Sequence, residues 1–217
     1  MKKLLPFALM GSLSLTAFGQ GVVIFKNYIS DTVDARITET VTSGTPTLVD
    51  GSDPLFRAAL LGGPAGGTAA TTTSAGSLQM LSSPDGTATY VGFRTGVAAG
   101  IVNVGSESPR LVPGVDWGGQ AMVQVVAWYG NATTYGDALA AGDPVGVSNP
   151  ITATLPSAPT DPNVANLVGL TAFNIGATST VPEPSTFALA GLGAAALLIL
   201  RPRIRSSKNS CVRHRPS

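Results

Sequence analysis

Between residues 20 and 184 the chain has neither histidine nor cysteine, so the groups there able to do acid-base or metal chemistry are carboxylates. Serine-histidine hydrolysis, cysteine proteolysis and zinc sites built on His or Cys are excluded from that region. Carboxylates in pairs could hydrolyse or eliminate at a glycosidic bond, which needs two acids facing each other across a sugar-sized cleft. Asp31 with Asp34, and Asp50-Gly51-Ser52-Asp53, could offer oxygens to a calcium ion, but neither has the full spacing of a helix-loop-helix calcium loop. Most of these acids adjoin Gly, Pro or Ser, where aspartate serves turns and caps. The reading is therefore of a non-enzymatic chain with no catalytic residue, metal or cofactor. Aromatic faces are the other opening: Trp117 and Trp128, with Tyr129 and Tyr135 close in sequence, could stack on sugar rings. The alternative is that Trp128 or Tyr129 fills a core while Trp117 covers its edge.

The elements that must position these residues have the periodicity of strands. Gly21 to Ile29 is a β-branched and aromatic run, and Val33, Ala35, Ile37 and Val41 alternate with polar partners, Glu39 falling on the apolar side. Further strands are expected at Leu55–Leu61, Thr87–Phe93, Val97–Val104, Gln120–Tyr129, Val145–Ser148, Ile151–Leu155 and Leu167–Ile175. Gln120–Tyr129 is apolar on both faces and reads as a central strand covered on both sides. Asp50-Gly51, Gly62-Gly63-Pro64, Pro84-Asp85-Gly86, Pro113-Gly114, Gly130-Asn131 and Asn149-Pro150 punctuate these runs as turns. Thr134 to Ala141 suggests one short helix. The Gly-, Ala- and Thr-rich stretch from Gly62 to Ser77 predicts a mobile loop, and the prolines of Pro156–Asn163 an extended linker. The expected fold is all-β, a β-sandwich over residues 20–175.

The two ends read differently. Met1-Lys2-Lys3, the apolar stretch Leu4 to Leu15 and Ala17-Phe18-Gly19 have the order of a secretory signal peptide, residues 1–19, cleaved before Gln20. An extended stalk at 176–186 leads into the apolar run Phe187 to Leu200, then a basic tail, 201–217. Seventeen residues from Ser185 to Arg201 reach roughly 25 Å as a helix, short for a bilayer crossing and also compatible with a buried helix. The flank favours the membrane: Arg201, Arg203 and Arg205 begin a tail with no acidic residue, the mark of a cytoplasmic end. All twelve acidic residues lie between Asp31 and Glu183, and the exported part that contains them has only five basic ones, so it is acidic and unsuited to nucleic acid. The single cysteine, Cys211, lies in the tail, so the exported part has no disulfide.

Val181-Pro182-Glu183-Pro184-Ser185, a short apolar helix and an arginine cluster together resemble the PEP-CTERM sorting signal of Gram-negative bacteria. The resemblance covers residues 181 to about 205, and the tail runs on past the arginines to Ser217, carrying Cys211 and His214. It implies a sorting motif of Pro182, Glu183 and Pro184, and exosortase, a membrane protease or transpeptidase, as partner. It also implies the inner membrane as a transient anchor and a destination at the cell surface or outside the cell. The implied role is structural or adhesive, in an exopolysaccharide or biofilm matrix. A carbohydrate-binding module is the alternative, and a carboxylate-dependent glycosidase or lyase a third.

Overall fold

The computed structural model describes residues 20–86, 90–105, 108–161 and 164–178. The expected signal peptide, the membrane helix, Pro182-Glu183-Pro184 and the arginines Arg201, Arg203 and Arg205 lie outside the described residues. In chain order the strands are β1 (Gln20–Ile24), β2 (Tyr28–Ile29), β3 (Val33–Asp34), β4 (Thr38–Glu39), β5 (Thr47–Leu48), β6 (Phe56–Pro64), β7 (Gln79–Met80), β8 (Tyr90–Val91), β9 (Pro109–Asp116), β10 (Gln120–Tyr129), β11 (Pro144–Val147), β12 (Ile151–Thr154), β13 (Asn174–Ile175) and β14 (Ala177–Thr178). One short helix, α1 (Tyr135–Ala141), lies between β10 and β11. The described chain is thus mostly β, as its periodicity indicates.

The centre is the antiparallel pair of β6 and β10, in register from Ala121 opposite Pro64 to Tyr129 opposite Phe56. Opposed residues share a face. Ala58, Leu60, Val125 and Ala127 belong to one core, while Ala59, Leu61, Val126 and Trp128 belong to another on the reverse side. A strand covered on both faces has no need to alternate, which is why β10 reads as nearly continuous apolar sequence. Around this pair the order is β14-β11-β10-β6-β7, with β12 also on β10 and β8 on β6. The first core is completed by residues of the smaller sheets, among them Val23, Ile37, Val112 and Ile175. The second is closed by Tyr135 and Ala138 of α1 and by Ala70 and Leu78.

Several boundaries differ from the expectation. Val97–Val104 is not a strand, because Gly96 and Gly100 take positive φ (62° and 77°) and turn the chain through a 3-10 turn at Gly96–Ala98. Leu167–Ile175 is extended only at its end; Leu170 N–H donates to the Leu167 carbonyl at 3.1 Å, closing a turn at Gly169. Pro113-Gly114 does not end a strand but sits within β9. There β1 and β9 change register between Gln20 and Val22, and Gly114 at φ 71° takes up the irregularity. Asn149-Pro150 interrupts two strands, β11 and β12, that follow one another along the same edge of β10 rather than folding back on each other.

The segment Gly62 to Ser77, expected as a mobile loop, is pinned. Its first three residues extend β6, and the Gln124 side chain, 1% exposed, grips Ala70 by both backbone groups. Ala70 N–H donates to Gln124 Oε1 at 2.8 Å and Gln124 Nε2 donates to the Ala70 carbonyl at 3.0 Å. Within the expected linker, Ser157 N–H and hydroxyl both donate to Asp161 Oδ2, folding Ser157–Asp161 into a turn. The expected helix is present, with Thr134 as N-cap accepting from Asp137 N–H and Gly142 as a left-handed C-cap.

Candidate functional site

The carboxylates are built into turns and caps. Asp50 Oδ1 accepts from Ser52 N–H at 2.8 Å and its Oδ2 from Gly96 N–H at 3.3 Å, bonds that hold its pKa below the ordinary value. Gly51 is required by close approach: a Cβ there would lie 1.9 Å from the Phe93 carbonyl oxygen. Asp53 Oδ1 accepts from Leu55 N–H at 2.9 Å. Tyr129, raised above its usual pKa by partial burial, is pushed further by the Asp53 charge and hydrogen bond. Asp31 and Asp34 lie in the β2–β3 hairpin, beside an open depression of about 450 Å³. Asp31 holds φ 62° at the loop tip and accepts from the Ser30 hydroxyl at 3.2 Å, while Asp34 lies 3.5 Å from Arg36 Nε. Among the described residues, no three His, Cys, Asp or Glu come together in a cluster able to hold a metal ion.

Glu39, the residue out of step in its strand, is 4% exposed and faces the core side. It accepts from Thr42 N–H at 2.8 Å, from the Thr42 hydroxyl, and from the Thr47 hydroxyl at 3.0 Å. Burial acts to raise its pKa, but these donors together outweigh it and hold the carboxyl below the ordinary glutamate range. The burial of a charge here is balanced by local donors, so the carboxylate ties β4 to β5.

The aromatic residues separate. Trp128 is fully buried on the reverse face of β10, with Tyr90 6.1 Å and Tyr135 6.4 Å away between ring centroids. Its Nε1–H donates to the Ala132 carbonyl at 3.0 Å, and Arg57 reaches the carbonyls of Asn131 and Ala132 while lying 4.6 Å over Tyr90. No face of Trp128 is free to stack on a sugar; it fills the core. Tyr135, likewise buried, donates its hydroxyl to the Thr71 carbonyl at 2.8 Å, and burial raises its pKa. Tyr129 points the other way, 4.7 Å from Phe56. Trp117 is half-buried in the turn between β9 and β10, whereas Trp128 lies eight residues into a strand beginning at Gln120. At about 3.3 Å per residue, the stretch from Gln120 to Trp128 spans roughly 26 Å, so the two tryptophans belong to opposite ends of β10.

Sequence reasoning missed the polar residues that knit the fold. Asn27, fully buried, donates to the carbonyls of Ala35 and Gly100 and accepts from Val102 N–H. Ser148 joins β11 to β10 through Val125 N–H. An Asn or Gln within an apolar run was the available signal.

Among the described residues, the buried side chains of Asn27, Gln124 and Ser148 are thus bonded to the backbone of the fold itself. Residues 180–204, directly after β14, match the PEP-CTERM protein-sorting motif family. No curated protein and no solved structure gives a significant match to the chain. The chain is thus of the kind that carries a carboxyl-terminal sorting signal, matched over residues 180–204. It bears a PEP-CTERM sorting motif, and the match supports its reading as an exosortase substrate.

Proposed function

We propose that this protein is a non-catalytic structural or adhesive component of the cell surface or extracellular matrix, delivered there by exosortase processing. The chain enters the general secretory route through residues 1–19 and loses them before Gln20. Phe187–Leu200 holds it in the inner membrane, with Arg201, Arg203 and Arg205 on the cytoplasmic side. Pro182 and Pro184 keep the motif extended and out of the helix, Glu183 supplies the charge that is read, and cleavage frees an acidic β domain of sandwich type. Its partner outside the cell is then an exopolysaccharide or biofilm matrix.

The observation that carries this reading is the sorting-motif match at residues 180–204, next to an apolar run and a basic tail. The internal use of Glu39, Gln124 and Trp128 accords with a scaffold. The test is replacement of Glu183 by Gln, and of Pro182-Glu183-Pro184 by three alanines, in an exosortase-competent host. Both variants are expected to accumulate as an unprocessed, membrane-retained form; processing at the wild-type rate refutes the proposal.

A further inference from the structure

The last described residues form a strap that joins two sheets. β13 lies parallel to β4, Thr38 N–H donating to the Phe173 carbonyl at 3.0 Å and Thr40 N–H to the Ile175 carbonyl at 2.9 Å. One residue on, Gly176 N–H donates to the Val145 carbonyl at 3.3 Å, and β14 pairs antiparallel with β11. The crossing is tight. A Cβ on Gly176 would lie 2.0 Å from Thr40 Oγ1, and one on Gly146 would lie 2.4 Å from the Asn174 carbonyl oxygen.

The two halves of this strap have different partners. Ile175 is fully buried in the first core, so β13 is anchored by side-chain packing as well as by backbone bonds. β14, like β13, has two register pairs, Pro144 opposite Thr178 and Val145 opposite Ala177, but one of its partners is Pro144, which has no N–H to give. Short terminal pairs of this kind open at low free energy while the rest of a domain stays folded.

The motif match begins at residue 180, two residues beyond β14. With β14 paired, only Ser179, Thr180 and Val181 separate the sheet from Pro182, about 10 Å of chain at full extension. With β14 released as far as Gly176, that free length becomes about 18 Å. A protease that draws in an extended peptide needs chain on both sides of the residues it reads.

We propose that β14 is a detachable strand: it peels from β11 about Gly176 so that exosortase can take up the motif, while β13 keeps the domain closed. This rests on the exosortase reading above and adds to it a regulatory step, in which the pairing of β14 sets the rate of processing.

The test uses the full-length chain with Cys211→Ser, carrying Pro144→Cys and Thr178→Cys. Directly opposed antiparallel residues have Cα atoms within disulfide range. In exosortase-containing membranes, the oxidised substrate is expected to be processed on the order of tenfold more slowly than the same substrate after reduction. A six-residue Gly-Ser insertion between Thr178 and Ser179 supplies the missing reach and is expected to restore the rate of the oxidised form. Equal rates for oxidised and reduced substrate overturn the proposal, as does an insertion that leaves the oxidised substrate slow. The Pro182-Glu183-Pro184 replacement runs in parallel. If it is processed normally, the exosortase reading fails; if it is not processed but oxidation has no effect, only the detachable strand fails.

Discussion

Gln124 is the side chain whose removal tests the architecture most directly. It sits in β10 opposite Leu61, on the reverse face of the central pair, and makes three hydrogen bonds: two with Ala70 and one, at 2.8 Å, to the Ser148 carbonyl. Gln124→Leu keeps the volume and leaves three buried backbone groups without their partner. Each such group costs about 1–3 kcal/mol when left unsatisfied, the lower end applying where the site relaxes. The expected loss is thus about 3–5 kcal/mol, a large part of the roughly 5–15 kcal/mol that holds a domain together. At about 3 °C per kcal/mol for a domain of this size, the melting temperature falls by roughly 10 °C. Thermal and urea unfolding measure the global loss, and amide exchange at Ala70 measures the local one. A variant within about 1 kcal/mol of wild type, with unchanged protection at Ala70, would show that the segment from Gly62 to Ser77 is not pinned as described.

Glu39→Gln replaces a carboxylate that receives three hydrogen bonds with an amide that can satisfy only part of the set. The folded state lowers the Glu39 pKa, so its stabilisation is complete above the unfolded value near 4.3 and disappears as pH falls through the lower folded value. Urea unfolding should therefore show the variant weaker by about 1–2 kcal/mol at pH 7, the gap closing below about pH 4; a gap independent of pH contradicts the assignment. Trp128→Ala should cost about 3–5 kcal/mol by leaving a cavity between Tyr90 and Tyr135, whereas Trp117→Ala should cost about 1 kcal/mol or less, both by urea unfolding. Comparable losses at the two positions would mean that Trp117 is core as well.

Legibility in the sequence followed how local the determining physics is. β10 could be read to its boundaries because a strand buried on both faces needs ten consecutive residues compatible with burial, and few alternatives accept that pattern. The alternation at Val33, Ala35 and Ile37 survives as alternating burial even though ladder pairing is confined to β3 and β4, since burial follows the side chain and pairing follows the neighbour. β9 was illegible because Pro113 and Gly114 look like a turn in isolation. Their strand role depends on β1 lying alongside with a register change that absorbs them. The pinning of Ala70 depends on Gln124, fifty-four residues away, and no composition of the segment itself carries that information.

The same distinction separates the sorting motif from the tryptophans. A sorting signal is a linear object, so Pro182-Glu183-Pro184, the apolar run and the arginines are recognisable in order without a fold. A sugar-stacking face is a tertiary object: whether Trp128 offers one depends on which side of β10 is covered, and α1 with the segment around Leu78 covers the side that Trp128 faces. The consequence extends to the strap. β14 looks like stalk because nothing within Gly176 to Pro184 identifies its partner; Pro144 and Val145 do, more than thirty residues earlier. A linear signal placed two residues after a tertiary strand is thus subject to both kinds of control, its identity set by its own residues and its availability by the sheet that holds the chain just before it.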